Sequence, residues 1–413
     1  MSLNESPRGE RVHIALFGKR NAGKSSVINA LTGQPLAVVS EVKGTTTDPV
    51  YKAMELLPLG PVMMIDTPGL DDEGALGALR VQKAMEVLGK TDIAVVVVDS
   101  REGISPFEEK WMHILQEKKI PHVIVLNKMD LSPNGVTKEQ AVKIARELGS
   151  NVLAVSAETG EGIHELKETL ARMVPEEEGK LQLIGDLLNP SDLVVLVIPI
   201  DKAAPKGRLI LPQQQTIRGI LEADAIAVVT KENELRETLQ SLGRKPKLVV
   251  TDSQVFAQVA ENTPKDVLLT SFSILFARYK GNLEELVQGV NAVARLKDGD
   301  TVLIAEGCTH HRQCDDIGTV KIPRWLQQKT GKKLIFETSS GTGFPSDLSK
   351  YALVVHCGGC MLNRREMLSR IDSCAQQGIP VVNYGVLIAS LQGILKQSLE
   401  PFPAAALALE EKK

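Results

Sequence analysis

The sequence is poor in aromatic residues and carries little net charge. Phe, Trp and Tyr make up 3% of its 413 residues, and 48 basic against 51 acidic side chains leave a formal net charge of −3. Aromatic stacking platforms and basic surfaces are the usual features of nucleic-acid binding. The composition therefore argues against an RNA or DNA partner.

Long apolar runs are also missing. The longest, such as residues 193–200, are far too short for a bilayer, which requires about 20 apolar residues in a helix. The opening residues, MSLNESPR, lack the apolar core of a signal peptide. We therefore expect a cytoplasmic protein with no membrane partner.

Cysteine is scarce and confined to one part of the chain. All five cysteines follow residue 300, which is not typical of a disulfide framework. In a reducing cytosol, clustered cysteines are more often metal ligands than disulfides. The last part of the chain is therefore where a metal site is expected.

Short β-branched strands alternate with helical segments along the chain. A chain of 413 residues is longer than a domain with a single hydrophobic core usually is, so two or three domains are expected. The alternation in the first part predicts an α/β fold with a doubly wound parallel sheet. Its predicted strands are residues 12–17, 62–65, 93–98, 122–126 and 151–155.

Two further α/β segments follow a charged run at residues 175–180. The second segment is small enough that pairing with a copy of itself would add needed burial, so we expect a homodimer. The strands predicted in the two segments are 193–198, 226–230 and 247–251, then 301–305, 333–337, 352–356 and 380–383. The predicted domains are a GTP-binding domain (1–175), a dimerisation domain (181–263) and a metal-binding domain (264–413).

A phosphate-binding loop follows the first predicted strand. Residues 18–25, GKRNAGKS, fit the P-loop pattern, in which glycines let backbone N–H groups close around phosphates at the start of a helix. Lys24 would reach the β- and γ-phosphates, and the Ser25 hydroxyl would ligate Mg²⁺. The predicted nucleotide contacts of this loop are Gly18, Asn21, Ala22, Gly23, Lys24, Ser25 and Ser26.

Two more segments are predicted to respond to the γ-phosphate. In the sequence DTPG at residues 66–69, Asp66 would hold Mg²⁺ through water, and the Gly69 N–H would sense the γ-phosphate. The sequence GTTTD at residues 44–48 is typical of a first switch, where a threonine completes the Mg²⁺ shell. Thr46 is the predicted ligand, with Thr45 as the alternative. The predicted catalytic residues are therefore Lys24, Thr46 and Gly69.

Base selection is predicted in the sequence NKMD at residues 127–130. The Asp130 carboxylate can accept hydrogen bonds from guanine N1–H and the 2-amino group, and adenine offers no such pair of donors. Ser156 and Ala157 follow the last strand, where a backbone N–H would reach guanine O6. Together with Asn127 and Lys128, these residues predict a site for GTP rather than ATP.

The nucleotide motifs resemble those of the translation-factor-related GTPases of the tRNA-modifying and ribosome-assembly type. Leu70 stands where signalling GTPases place a water-orienting glutamine, and Asn21 stands where potassium-dependent relatives have an asparagine ligand. The resemblance implies slow GTP hydrolysis, stimulated by K⁺ at Asn21 in place of an arginine finger. The second-switch acid of such relatives has three candidates here: Asp71, Asp72 and Glu73.

Three cysteines follow two predicted strands of the third segment. Cys308 comes just after the strand at 301–305, and Cys357 and Cys360 come just after the strand at 352–356. Because the carboxyl ends of parallel strands share one edge of a sheet, the three thiols can converge. The glycines between Cys357 and Cys360 let the backbone pass close to a bulky group.

Three thiolates without an obvious fourth suit a [4Fe–4S] cluster with one open iron better than a closed zinc site. Zinc remains an alternative, because His310, His311, His356 or Glu306 could supply a fourth ligand. A buried pair of structural cysteines without metal is a third interpretation. Cys374 is predicted to be a helix-core thiol, and Cys314 lies outside the ligand spacing.

The cysteine pattern placed after a GTPase domain resembles the [FeFe]-hydrogenase maturation GTPases, over essentially the whole chain. The resemblance rests on two motifs, Cys-x-His at 308–310 and His-Cys-x-x-Cys at 356–360. It implies that Cys308, Cys357 and Cys360 hold a [4Fe–4S] cluster with an exchangeable fourth iron site. His310 and His356 would orient neighbouring groups.

The same resemblance implies the partners of the protein. Members of that family are scaffolds that accept a diiron precursor made by two radical-SAM maturases, HydE and HydG. They deliver it to the apo-[FeFe]-hydrogenase. The alternative function is that of an RNA-modification or ribosome-assembly GTPase with a structural zinc, which only the GTPase motifs favour. A GTP-binding interaction protein without hydrolysis is disfavoured because the Mg²⁺ and phosphate motifs are intact.

Overall fold

The chain folds into two compact units, Met1–Gly179 and Lys180–Lys413. The structure, a computed structural model, describes residues 6–33, 48–69, 74–131, 149–174, 182–200, 209–308, 316–341 and 343–410. The predicted first switch with Thr46 and the second-switch residues 70–73 lie outside these ranges. So do the charged run at 175–180 and residues 309–315, which include His310, His311 and Cys314.

The first unit is built on a six-stranded sheet in the order β2-β3-β1-β4-β5-β6, parallel except for the β2–β3 pair. Its strands are β1 (Val12–Phe17), β2 (Val50–Leu56), β3 (Gly60–Asp66), β4 (Ile93–Asp99), β5 (His122–Asn127) and β6 (Asn151–Ala154). Its described helices are α1 (Lys24–Thr32), α2 (Gly74–Leu88), α3 (Pro106–Glu117) and α4 (Ile163–Arg172).

Alternating side chains of β1 serve two cores, one on each face of this sheet. Ile14 and Leu16 pack with α1 and α4, whereas Ala15 and Phe17 pack with α2 and α3. Phe17 stacks on Trp111 with ring centroids 5.3 Å apart. Because successive strand residues point to opposite faces, this pattern buries the strands on both sides. The predicted doubly wound sheet is confirmed.

The second unit contains two four-stranded parallel sheets, in the orders β10-β9-β7-β8 and β12-β11-β13-β14. The strands of the first are β7 (Leu193–Val197), β8 (Ile226–Thr230), β9 (Leu248–Thr251) and β10 (Leu268–Ser271). Those of the second are β11 (Thr301–Glu306), β12 (Ile335–Ser340), β13 (Tyr351–His356) and β14 (Val381–Asn383). A single buried cluster of apolar side chains runs through both sheets.

Helices connect and cover these strands. They are α5 (Leu211–Glu222), α6 (Leu235–Ser241), α7 (Phe256–Asn262), α8 (Phe272–Lys280), α9 (Leu283–Gln288), α10 (Ile322–Thr330), α11 (Arg364–Gln376), α12 (Tyr384–Leu391), α13 (Leu395–Ser398) and α14 (Pro403–Glu410). Among the described residues, no helix combines the length and apolarity needed to cross a bilayer.

The sheet that contains β7 has one more strand than predicted. The predicted dimerisation domain ends at residue 263 and has three strands, but β10 (Leu268–Ser271) pairs with β9 and is a fourth strand of this sheet. This strand has only four residues and runs directly into α8, whose N-cap is Ser271. A strand without a flanking turn gives little signal in the sequence.

Candidate functional sites

The phosphate loop between β1 and α1 is shaped by two glycines. Gly18 has φ +148° and Gly23 has φ +93°. A Cβ atom at Gly18 would lie 2.2 Å from the Val97 carbonyl oxygen, and one at Gly23 would lie 2.2 Å from Asn127 Nδ2. Only glycine fits these close approaches, which fold the loop tightly ahead of α1. Ser26, in the first turn of α1, follows Ser25.

Lys24 lies inside this loop. Its side chain is 7% exposed, and its Nζ donates to the carbonyl oxygens of Gly18 at 2.9 Å and Lys19 at 2.7 Å. The carbonyl oxygens of the loop thus hold the Lys24 ammonium group at the N-terminus of α1. That combination of positive charge and helix dipole favours a bound phosphate.

The predicted Mg²⁺ residues are adjacent. Ser25 Oγ donates to Asp66 Oδ2 at 2.6 Å, while Asp66 Oδ1 is buried with no hydrogen-bond partner. Burial raises the pKa of Asp66, against the opposing effects of the Ser25 hydrogen bond and the Lys24 charge. Mg²⁺ prefers oxygen ligands, and an ion bound by Asp66 Oδ1 would give this buried oxygen the partner that it lacks. The two side chains therefore fit a Mg²⁺ ion.

Gly69 brings the segment after β3 against the phosphate loop. A Cβ atom on Gly69 would lie 2.8 Å from Arg20 Cα, so a larger residue would push the two segments apart. Thr67 Oγ1 donates to the Leu16 carbonyl oxygen at 2.5 Å and fixes the start of the segment on β1. Gly69 therefore lies where a phosphate on the loop would be within reach.

The residues predicted to recognise guanine are joined by direct hydrogen bonds. Asn127 donates from Nδ2 to the Ala22 carbonyl oxygen and accepts from the Ala157 backbone N–H, both at 3.1 Å. Ser156 Oγ donates to Asp130 Oδ1 at 2.5 Å. These bonds join the ends of β5 and β6 to each other and to the phosphate loop.

Asp99, at the end of β4, is a site residue that the sequence analysis missed. Lys128 Nζ contacts Asp99 Oδ2 at 2.8 Å and the Asn21 carbonyl oxygen at 2.5 Å, while Arg101 donates to the same carboxylate from Nε at 2.9 Å. Hydrogen bonds from Arg101, and then from Lys128, hold the pKa of Asp99 well below its ordinary value. Asp99 therefore fixes Lys128 across the nucleotide site.

Asn21 has an unusual backbone conformation. Its φ is +58°, in the left-handed region that asparagine tolerates better than most residues. Its carbonyl oxygen accepts from Lys128 at 2.5 Å, which ties the loop to the guanine side of the site.

The three cysteines lie beyond the carboxyl ends of β11 and β13, which are paired neighbours. The Cys357 N–H donates to the Ala305 carbonyl oxygen at 2.9 Å, so the pairing continues into the cysteine segment. Cys308 lies two residues after β11. Within the part of the chain that the structure describes, Cys308, Cys357 and Cys360 form no disulfide bond.

Glycines shape the space around Cys357. Its Sγ accepts hydrogen bonds from the backbone N–H groups of Gly307 at 3.1 Å and Gly359 at 3.4 Å. Gly359 has φ +63°, and a Cβ atom on Gly307 would lie 2.8 Å from Leu362 Cγ. Backbone N–H groups aimed at sulfur stabilise a thiolate or a bound cluster.

Burial raises the pKa of Cys357 to about 12 and that of Cys360 to about 11. Cys308 adds to both increases because its charge would repel theirs. The thiols are therefore neutral at pH 7 until a metal displaces their protons. Within the described residues, no three His, Cys, Asp or Glu side chains are arranged around a single metal ion.

His356 is held by the protein through both ring nitrogens. Nε2 lies 3.1 Å from Arg370 Nη1, and Nδ1 lies 2.8 Å from the Cys357 carbonyl oxygen. Because Arg370 can only donate, Nδ1 carries the proton and donates to Cys357. Burial, and then the Arg370 charge, lowers the pKa of His356 to about 3. This neutral ring orients the backbone of Cys357.

Two other residues named from the sequence, Glu306 and Cys374, are buried. Glu306 is 3% exposed and accepts a long hydrogen bond, 3.4 Å, from Tyr384 Oη. Cys374 is fully buried in α11, as predicted for a helix-core thiol.

The first unit, with its sheet, phosphate loop and base-selecting residues, is a P-loop GTPase domain. A family model described as "50S ribosome-binding GTPase" matches it over residues 13–128. Two further models follow in order: "Hydrogen maturase F dimerization domain" over residues 183–281 and "Hydrogen maturase F tetramerization domain" over residues 284–401. Those two cover more than half of the sequence, and the chain belongs to the hydrogen maturase F family.

Curated relatives match mainly the GTPase domain. The tRNA modification GTPase MnmE of Chromobacterium violaceum is 34% identical over 40% of this chain and 35% of its own length. GTPase Der of Xanthomonas axonopodis pv. citri is 36% identical over 43% of this chain and 36% of its own length. The chain thus spans about a third of these relatives.

Among solved structures, a variant of Era from Aquifex aeolicus bound to GDP·AlF4⁻ is similar over 56% of this chain and 98% of that chain. The identity is 19% and the TM-score 0.36.

Proposed function

We propose that the protein is a GTP-hydrolysing scaffold that binds a [4Fe–4S] cluster through Cys308, Cys357 and Cys360. On this scaffold a diiron precursor from HydE and HydG is held and then delivered to the apo-[FeFe]-hydrogenase. The observation that supports the proposal is that three cysteines without disulfide bonds follow two neighbouring strand ends, in a chain of this family with a GTPase domain.

The donor set fits a cluster. Thiolates are the usual ligands of [4Fe–4S] clusters, and the N–H groups of Gly307 and Gly359 already point to Cys357 Sγ. A cluster spaces its thiolates more widely than a single ion does, so cysteines that do not enclose one ion are compatible with it. With three cysteines as ligands, the fourth iron is free to exchange. Such an iron explains how a precursor docks and later leaves.

GTP hydrolysis is the proposed turnover reaction. Lys24 binds the β- and γ-phosphates, Ser25 and Asp66 hold Mg²⁺, and Gly69 contacts the γ-phosphate. Mg²⁺ neutralises the charge that develops on the transferred phosphoryl group. Thr46 as a further Mg²⁺ ligand and K⁺ bound by the Asn21 side chain remain parts of this proposal. Replacing Na⁺ by K⁺ should raise kcat in the wild type but not in Asn21→Gly, which tolerates the left-handed φ.

Self-association is proposed through the dimerisation domain. Strand β8 is an edge of its sheet, and it exposes 43% of Ile226 and 50% of Val229. An exposed apolar edge strand is a template for pairing with another chain. We therefore retain the homodimer as the smallest assembly.

Nucleotide state is proposed to control the partners. The Gly69 segment lies against the phosphate loop, so loss of the γ-phosphate would change its surroundings. Equal affinity of the GTP and GDP forms for the maturases and the hydrogenase would contradict this part.

Metal analysis of anaerobically purified protein tests the proposed function. We expect about four irons and four acid-labile sulfides per chain and an EPR signal after reduction. Cys357→Ala should lose them, whereas Cys374→Ala, which changes a buried cysteine outside the site, should keep them. Stoichiometric zinc without sulfide would contradict the proposal and favour a GTPase with a structural metal.

A further inference from the structure

A buried lysine ends helix α8 beside the cysteine segment. Lys280 is 1% exposed, and its Nζ donates at 2.7 Å to the carbonyl oxygen of Leu362, two residues after Cys360. Removing an ammonium group from water is costly unless a nearby negative charge or dipole compensates. A lysine held so deep therefore points to an electrostatic role at this place.

The position of Lys280 is fixed from both sides. Arg364, which begins α11 after the cysteine segment, donates from Nη1 to the carbonyl oxygens of Tyr279 at 2.8 Å and Gly281 at 3.3 Å. The residues flanking Lys280 are thus tied to the chain that follows Cys360. These bonds fix the backbone around Lys280, and its ammonium cannot move away from the cysteine segment without breaking the bond to Leu362.

Lys280 is a buried cation bonded directly to the cysteine segment, through the Leu362 carbonyl oxygen two residues after Cys360. Arg370, another buried cation of this region, is committed to Glu366 at 2.7 Å and to the Gly341 carbonyl oxygen at 2.6 Å. Lys280 is accordingly placed to balance the thiolates.

We propose that Lys280 is the buried counter-charge of the metal centre held by Cys308, Cys357 and Cys360. A cluster with three thiolate ligands carries net negative charge, and nearby positive charge stabilises its reduced form. Lys280 thus raises the reduction potential and assists loading. This inference rests on the proposed function. It assigns an electrostatic role to a residue of α8, the helix that follows the dimerisation-domain sheet.

A merely structural role is the competing explanation, because the bond to Leu362 also anchors the segment. The two differ in what a charge-keeping substitution does. Lys280→Met removes the charge at similar volume, Lys280→Gln removes it but keeps a polar group, and Lys280→Arg keeps it. Lys350→Met is the matched control, since Lys350 is exposed and precedes the opposite end of β13.

The test is an EPR-monitored redox titration of each variant after anaerobic reconstitution, with iron and sulfide contents measured first. We expect a more negative potential in Lys280→Met and Lys280→Gln. Lys280→Arg should stay close to the wild type, and Lys350→Met should not change. Failure of the neutral variants to load iron, while Lys280→Arg loads it, would also support the inference.

A wild-type potential in a fully loaded neutral variant would overturn the inference. So would loss of loading in all three Lys280 variants with wild-type thermal unfolding, because shape rather than charge would then be required. If Lys280→Met does not fold, Lys280→Gln decides. A wild-type protein without iron and sulfide would instead refute the proposed function itself.

Discussion

The GTP site and the cysteine site both lie at the carboxyl ends of parallel strands, but they are held in different ways. In the GTP site, side chains bond directly to one another, as Ser25 does to Asp66 and Ser156 to Asp130. In the cysteine site, Cys357 Sγ is contacted by backbone N–H groups. Side-chain hydrogen bonds therefore hold the described part of the first site, whereas backbone contacts hold the described part of the second.

The two sites also differ in charge. In the GTP site, hydrogen bonds from Arg101 and then from Lys128 hold the pKa of Asp99 well below its ordinary value, so this carboxylate is charged at neutral pH. In the cysteine site, burial raises the pKa values of Cys357 and Cys360, so these two thiols are protonated at that pH. A metal bound by the two thiolates would have to displace their protons.

The largest expected effect of breaking the GTP site comes from Asp130→Asn. Two hydrogen bonds from guanine to a carboxylate are worth about 1.5–3 kcal/mol each, so GTP affinity should fall at least about 100-fold. Xanthosine triphosphate should bind better than in the wild type, because its 2-oxo group can accept from the new amide. Fluorescent-nucleotide titration measures both.

Iron and sulfide contents should stay unchanged in Asp130→Asn, since the cysteine site lies in the other compact unit. Unchanged GTP affinity would remove Asp130 from the site.

A smaller effect is expected from Asp99→Asn. Because the folded-state pKa of Asp99 is lowered, mainly by Arg101, the carboxylate stabilises the fold above the unfolded pKa of about 3.9. That contribution is lost as the pH falls through the folded-state pKa. Because the Arg101 side chain is half exposed, solvent screens this interaction and keeps the contribution well below that of a buried ion pair.

Urea unfolding followed through Trp111 in a Trp325→Phe background measures the Asp99 effect. The wild type should exceed Asp99→Asn at pH 7, and the difference should shrink below pH 4. A difference that stays constant from pH 7 to pH 3 would show that the charge of Asp99 is not involved.

The smallest effect is expected from Cys374→Ala in the second unit. Loss of one buried sulfur atom should lower the free energy of unfolding by on the order of 1 kcal/mol, through lost packing. The cluster signal should remain. Loss of iron in this variant would mean that the cysteine site depends on the packing of α11, and the difference between the two sites would then need another explanation.

The sequence predicts the buried strands well, because continuous runs rich in β-branched residues, as in β4 and β7, are typical of parallel strands buried on both faces. It misses β2, an antiparallel edge strand whose sequence, VYKAMEL, mixes charged and apolar residues. It also misses β10, where four residues pass directly into a helix. Edge position and short length weaken the periodic pattern on which prediction depends.

Site residues show the same division. Motifs with fixed spacing locate the described GTP contacts and the three cysteines. Asp99 and Lys280 have no such motif, since their roles come from burial and from partners that lie 29 and 82 positions away along the chain. An isolated aspartate or lysine is usually a solvated surface residue. Only the folded chain brings these two side chains to their sites.

The most direct test of the account is activation of apo-[FeFe]-hydrogenase by protein purified after coexpression with HydE and HydG. The wild type should restore hydrogen evolution, Cys357→Ala should not, and Cys374→Ala should match the wild type. Activation by Cys357→Ala as efficient as that by the wild type would contradict the claim that delivery of the diiron precursor requires the cluster held by the three cysteines.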